Sequence, residues 1–318
     1  MVPPGAFIAG TGLAVPPHTV GNEEIAARLG VDVEWIERRT GTRTRHFLGP
    51  GERLGDLAAD AGRAALERAG VDPGELDAVL VGTTSPDDMS PHAATVVTGA
   101  LGTHAAAIDV SAACTGFLAS LQHATGLVEA GRARHVLVIG ADGLSRFLDH
   151  DDRGSAMLFG DGAGAVLLSA WDGPTRIGPI VLRSDASGNG LIRLRRGGLI
   201  EMEGRAVYRA AVELLPGIVR EAAGAAGCAP EDVDLFVFHQ ANGRILAAVA
   251  EQLGLDDGKV VDDVHRYANT SAGTLPISLA TAEAEGRLKA GDRVLLAAFG
   301  AGLVFGATVV RWGRPAPS

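Results

Sequence analysis

Asp72-Pro73-Gly74-Glu75-Leu76-Asp77-Ala78-Val79-Leu80-Val81 and Ala229-Pro230-Glu231-Asp232-Val233-Asp234-Leu235-Phe236-Val237-Phe238 read alike. Each leaves a helix through a proline turn, passes an aspartate and enters a run that is apolar at every position. Such a run fits a strand buried on both faces. Asp77 and Asp234 stand about 157 positions apart. At nearly the same spacing, Arg134-His135-Val136-Leu137-Val138-Ile139 is echoed by Asp292-Arg293-Val294-Leu295-Leu296-Ala297. A third pair, Gly162 to Leu168 against Gly302 to Val310, closes each repeat with a Gly-rich turn and a strand. Three pairs in one order indicate a duplicated chain. They predict an α/β fold of two similar halves, 1–172 and 173–318, packed as a pseudo-dimer of layered helices and sheets.

Composition narrows the function. The 318 residues are 47% hydrophobic, enough for a deep core, and carry a net charge of -10. No basic stripe interleaved with aromatics appears, so a nucleic-acid partner is not expected. The two cysteines, Cys114 and Cys228, lie in unlike contexts and imply no disulfide framework, which points to a reducing, cytoplasmic compartment. No CxxC or HExxH spacing suggests a metal site. The first twelve residues lack a basic stretch followed by a long apolar run, so a signal peptide is not expected. Val294 to Val310 is nearly uncharged and close to the length of a short membrane helix. Gly300, Gly302 and Gly306, with β-branched residues at both ends, favour two buried strands joined by a tight turn, and no membrane association is expected.

Three polar residues stand out within apolar or small-residue surroundings: Cys114 in SAACTGF, His239 in FVFHQAN and Asn269 in YANTSAGTLP. Cys114 follows the run Ala105 to Val110 and precedes the helical pattern Phe117, Leu118, Leu121 and Leu127. A strand-to-helix elbow follows, and its free amides and helix dipole are expected to favour the thiolate. His239 ends the strand that repeats Val79–Val81, so the cysteine from one half should meet the histidine and asparagine of the other. Taken singly, each has a plainer reading: Cys as a small core residue, His at a strand end as a satisfied turn residue, Asn as a turn former. Their joint occurrence points to thioester chemistry. Cys228, in GAAGCAPED, has no such context and reads as structural. GDGAGA, at 160–165, is a weak match to a dinucleotide loop and precedes a strand, so a nicotinamide site is not expected.

Over nearly its whole length the chain resembles β-ketoacyl-acyl carrier protein synthase III of the thiolase superfamily. The matching stretches are Glu34-Trp35-Ile36 with Arg39-Thr40-Gly41, Ala112 to Phe117, Asp152-Arg153-Gly154, Phe159 to Ala165, His239-Gln240-Ala241-Asn242 and Asn269-Thr270-Ser271. The Cys/His/Asn set points to this branch, since the similar elongating synthases use Cys/His/His. The resemblance implies a layered α-β-α-β-α thiolase-like fold and a decarboxylative Claisen condensation. Cys114 would be acylated from acyl-CoA, with the amides of Cys114 and Ala301 as oxyanion donors. His239 and Asn269 would hold the enolate formed when a malonyl thioester, on a carrier protein or CoA, loses carbon dioxide. No cofactor is implied. Trp35 and Arg153 would sandwich the adenine of CoA, Arg39 would meet a phosphate, and Gly204, Ala241 and Asn242 would line the pantetheine tunnel. Arg209 and Arg244 match carrier-docking positions, while Glu251 and Gln252 replace lysines common there. A homodimer is implied, because the acyl pocket is completed by the partner.

Three departures refine the expectation. Ser90, beside Met89, stands where acetyl-preferring relatives carry a bulky Phe, and Ser184 to Met202 is short and carries Arg193, Arg195 and Arg196. Both suggest an acyl donor larger than acetyl. Ala301 replaces a glycine, and its Cβ restricts the turn. Alternative readings are an acyltransferase that passes the acyl group from Cys114 to a non-malonyl acceptor, and a non-catalytic partner subunit of a heterodimer.

Overall fold

A computed structural model describes residues 4–315; positions 1–3 and 316–318, the ends of the two expected halves, lie outside the described residues. The repeated segments form corresponding strands. Ala78–Gly82 runs parallel to His135–Asp142, and Leu235–Phe238 runs parallel to Arg293–Gly300. Asp77 Oδ2 accepts the amides of Arg134 and His135 at 2.6 and 3.0 Å, and Asp234 Oδ2 accepts that of Arg293 at 2.8 Å. The repeated aspartates therefore start each parallel pair in the same way.

Each pair then gains an antiparallel strand, Gly162–Trp171 on His135–Asp142 and Val304–Arg311 on Arg293–Gly300. The apolar run 294–310 is thus two strands, with Gly300 facing Val304 across the turn. The GDGAGA segment opens the strand at Gly162, not a helix. Gly5–Ala14 and Ala106–Val110 complete a five-stranded sheet, and Val181–Ser184 completes a four-stranded one.

Strand alternation sorts the core into layers. Leu80, Val138 and Val166 from one sheet and Val237, Leu296 and Val310 from the other pack on the helices Gly116–Glu129 and Thr274–Ala284 between them. The neighbouring positions Val79, Val81 and Leu137 face outward onto Leu54–Ala69 and Ala93–Leu101. Leu295, Ala297 and Val309 face outward onto Gly204–Ala225 and Gly243–Leu253. The order is helix, sheet, helix, sheet, helix, as the resemblance implies. Burial on both faces explains why the central strands are apolar throughout instead of alternating.

Candidate active site

Cys114 lies in a single helical turn, Ala113–Thr115, between the strand Ala106–Val110 and the helix Gly116–Glu129. Ala113 has φ of 48°, a left-handed conformation that turns the chain sharply at the cysteine. The end of strand Arg293–Gly300 presses on this elbow: a Cβ at Gly300 would come within 2.8 Å of the Cys114 amide nitrogen. Positive φ among described non-glycine residues is confined to Ala113, Ala268 and Ser271, so Ala301 fits its turn without left-handed strain.

His239, 2% exposed, follows the strand Leu235–Phe238, and its amide donates to Ala297 O at 2.8 Å. Burial pushes its imidazole down to about 3, so the ring is neutral at physiological pH. Its edge meets Phe299, with ring centroids 5.7 Å apart. Asn269 follows Ala268, whose φ is 57°, and is fastened to the other half by its amide on Leu158 O and its carbonyl under Gly160 N, each at 3.0 Å.

Ser271 links all three. Its hydroxyl donates to Cys114 Sγ at 3.4 Å, its amide donates to Asn269 Oδ1 at 2.8 Å, and its carbonyl accepts from Thr274 Oγ1 at 3.0 Å. Thr274 Oγ1 lies 2.7 Å from His239 Nδ1. Asn269 thereby has its oxygen engaged and its amide hydrogens left for a ligand. The buried Asp142 supports the loop from beneath. One of its oxygens accepts from Thr84 N at 2.8 Å and Ser85 Oγ at 2.7 Å, and the other from Ala272 N at 3.2 Å. Ser271 and Thr274 were visible within YANTSAGTLP but carried no distinguishing signal, and Asp142 had none beyond a carboxylate ending an apolar strand.

The expected thiolate is not the resting state. Burial pushes the Cys114 thiol up to about 11; the Ser271 hydroxyl opposes the shift, and the Asp142 charge adds to it. Desolvation of a single negative charge outweighs the elbow amides.

Cys114, His239, Asn269 and Ser271 line the inner end of a cavity of about 760 Å³ that also takes in Phe299, Gly300 and Ala301. Toward its mouth stand Trp35, Arg39, Arg153, Gly204, Arg209, Ala241, Asn242 and Arg244, so every expected CoA-binding and docking position faces the same space. Two contacts organise the mouth. Arg39 stacks on Trp35, 4.5 Å from the ring centroid, while Arg153 Nε donates to Leu29 O at 3.0 Å. The Asn242 side chain is already committed, accepting from Arg244 N at 2.9 Å as a helix cap and donating to Arg39 O at 3.0 Å. Met89 and Ser90 do not line the cavity. They lie on an exposed loop, Met89 73% exposed, beside the edge strand Ala106–Val110. Arg193 and Leu194 of the hairpin strand Ile192–Leu194 do line it, and Arg195 instead pairs with Glu201 at 2.6 Å. With Arg193 and Arg205 the lining holds six arginines and no carboxylate, on a chain whose net charge is -10. Among the described residues no three His, Cys, Asp or Glu side chains gather as a metal-binding group.

A relative from Streptomyces coelicolor, β-ketoacyl-[acyl-carrier-protein] synthase III 2, is 44% identical over 98% of this chain and 96% of its own. The chain belongs to the β-ketoacyl-[acyl-carrier-protein] synthase III family. The family pattern described as 3-oxoacyl-[acyl-carrier-protein (ACP)] synthase III matches residues 108–186, and that of its C terminal matches 224–312. The synthase III from Pseudomonas aeruginosa superposes with a TM-score of 0.93 at 38% identity, covering 98% of this chain and 100% of that one. The priming β-ketosynthase of a polyketide biosynthetic pathway superposes with a TM-score of 0.94 at 34% identity, covering 99% and 98%. The fold is therefore that of the synthase III enzymes, and the first family match contains Cys114 while the second contains His239 and Asn269.

Proposed function

We propose that this chain is a priming ketosynthase that condenses an acyl group from acyl-CoA with a malonyl thioester in fatty acid or polyketide synthesis. The observation carrying this reading is the convergence of Cys114, His239 and Asn269, joined through Ser271 and Thr274, at the inner end of an arginine-rimmed cavity. The first half, 1–172, supplies the nucleophile and the second, 173–318, the two hydrogen-bond donors.

In the first step the Cys114 sulfur attacks the acyl-CoA carbonyl. Because the resting group is a thiol, its proton leaves as the C–S bond forms and passes to the departing CoA sulfur, while His239 stays neutral. The oxyanion is held by the amides of Cys114 and Ala301. CoA departs as its thiol, taking that proton. In the second step the malonyl carboxylate leaves as carbon dioxide, and its bonding electrons form an enolate. His239 Nε2–H and Asn269 Nδ2–H donate to the enolate oxygen. The enolate carbon attacks the acyl carbonyl and Cys114 leaves, giving a β-ketoacyl thioester. Thr274 sets the His239 tautomer. Its hydroxyl turned to Ser271 O makes Nδ1 the donor and leaves Nε2 basic; turned to Nδ1, it leaves Nε2–H free to donate. These steps use only side chains, backbone amides and two thioesters, with no metal or redox cofactor.

Six arginines fit the phosphates of CoA and an acidic carrier protein, with Arg209 and Arg244 at the docking surface. Trp35, Arg39 and Arg153 are assigned to the CoA nucleotide, and Gly204, Ala241 and Asn242 to its pantetheine arm. A homodimer is inferred through the edge strand Ala106–Val110, where Ile108 is 49% exposed. The small Ser90 at that edge supports an acyl donor larger than acetyl. The two free thiols suit a cytoplasmic location, and no helix among the described residues is long and apolar enough to cross a membrane.

The test is intact-protein mass spectrometry of wild type and Cys114→Ala after exposure to acetyl-, butyryl-, branched and aromatic acyl-CoAs, followed by a malonyl-carrier-protein chase. The expected result is acyl mass on wild type alone, discharged as carbon dioxide and a β-ketoacyl product appear. An acyl-enzyme that ignores malonyl thioesters would overturn the condensation. Acetyl-CoA used as well as the larger donors would overturn the wide pocket alone.

A further inference from the structure

A second cavity, of about 580 Å³, shares no lining residue with the first. Sheet register brings three like charges together on its wall. Arg293 faces Arg311 directly across two antiparallel strands. On the other side of Arg311, the bridge Ile177–Val310 and the hydrogen bond from Arg311 N to Arg176 O, at 2.7 Å, set Arg176 opposite Arg311. Ile177, Val310 and Val294 turn into the central core, so their neighbours Arg176, Arg311 and Arg293 share the opposite face, in one row across three strands.

Like charges directly opposite in a sheet are destabilising unless a counter-charge is present. Among the described residues none of the three pairs with a carboxylate within 4.0 Å. Arg176 reaches only Trp312 O, at 3.5 Å, and lies 5.7 Å from the Trp171 ring. Asp234 is nearby in sequence register but spends an oxygen on the Arg293 amide. Glu129 is the single carboxylate among the cavity's lining residues, leaving an excess of positive charge in a concave space of small-ligand size.

We propose that the Arg176–Arg311–Arg293 row is a binding site for a small ligand carrying a phosphate or diphosphate group. Adjacent strands are about 4.8 Å apart, so the row spans roughly 10 Å, and planar guanidinium forks match phosphoryl oxygens in pairs. The site is separate from the thioester cavity, and a ligand bound there would stabilise the second sheet by supplying the missing counter-charge.

The experiment is calorimetric titration of the full chain with inorganic pyrophosphate and with ADP, in wild type, Arg311→Gln, Arg293→Gln and Arg39→Gln. Saturable binding is expected in wild type and in Arg39→Gln, weakened roughly tenfold or more in the two row variants. Pyrophosphate binding as tight as ADP assigns a free diphosphate, and tighter ADP binding assigns a nucleotide. Peptide mass spectrometry supplies a second readout, since Cys228 lines the same cavity and its maleimide labelling should slow when the ligand is present. Arg311→Lys keeps the charge without the fork, and its affinity should fall between wild type and Arg311→Gln. Binding lost in Arg39→Gln but kept in the row variants would assign the anion to the thioester cavity and overturn the proposal. So would a signal that sodium chloride reproduces at equal ionic strength, or no saturable binding at all.

Discussion

Cys114 and His239 are both held in their uncharged forms by burial, and each makes a prediction. With the thiol pushed up to about 11, alkylation of Cys114 by iodoacetamide should rise steadily with pH through neutrality without levelling near 9. Ser271→Ala removes the hydroxyl that favours the thiolate and should slow that alkylation roughly fivefold at fixed pH, while thermal stability stays near wild type. For His239 the folded pKa of about 3 lies below the unfolded 6.5, so acid favours the unfolded chain. The histidine's contribution is present above pH 6.5 and is lost as the pH falls toward 3. Between pH 6.5 and 5 that loss amounts to roughly 2 kcal/mol. Asp263 has the opposite sign, raised to about 6 by burial, so the comparison must be differential. Denaturant unfolding of wild type and His239→Gln at both pH values should show a shallower acid loss in the variant; equal losses would refute the assignment.

Two glycines show how elements, and not propensities alone, build the site. Gly217 lies within the helix Gly204–Ala225, and a Cβ there meets nothing within 4 Å. Gly217→Ala should stabilise the protein by up to about 1 kcal/mol through helix propensity. Gly300 ends the strand Arg293–Gly300 against the Cys114 amide, where a Cβ must displace the nucleophile elbow. Gly300→Ala should cost about 1–3 kcal/mol and abolish acyl-enzyme formation. Thermal melts and acylation assays distinguish the pair. The elements themselves were legible: Cys114 at a strand-to-helix elbow, His239 at a strand end, and two strands within 294–310 follow from period and punctuation. The Ala113 and Ser271 backbone angles were not, because an alanine or serine gives no sign that its surroundings hold it at positive φ.

At the scale of the whole molecule, the proposed homodimer is tested at the edge strand Ala106–Val110. Ile108→Lys places a charge on its exposed apolar position, and light scattering should report a shift from dimer toward monomer. An unchanged dimer would move the interface elsewhere. The same edge carries the loop of Met89 and Ser90, outside the cavity of a single chain, so the shift should also alter which acyl-CoA is preferred.

The duplicated aspartate-strand segments determined the two-sheet fold, since each apolar run has only the other sheet and the flanking helices in which to bury both faces. The identities of Cys114, His239 and Asn269, rare polar residues in apolar surroundings, likewise marked the candidate site. Tertiary structure alone decided the rest. Charge states depend on desolvation by residues distant in sequence, which turned an expected thiolate into a thiol. The links among these three side chains pass through Ser271 and Thr274, which the loop 269–274 brings to them. The arginine row likewise exists only through strand register, which joins residues 176, 293 and 311 that no local pattern connects.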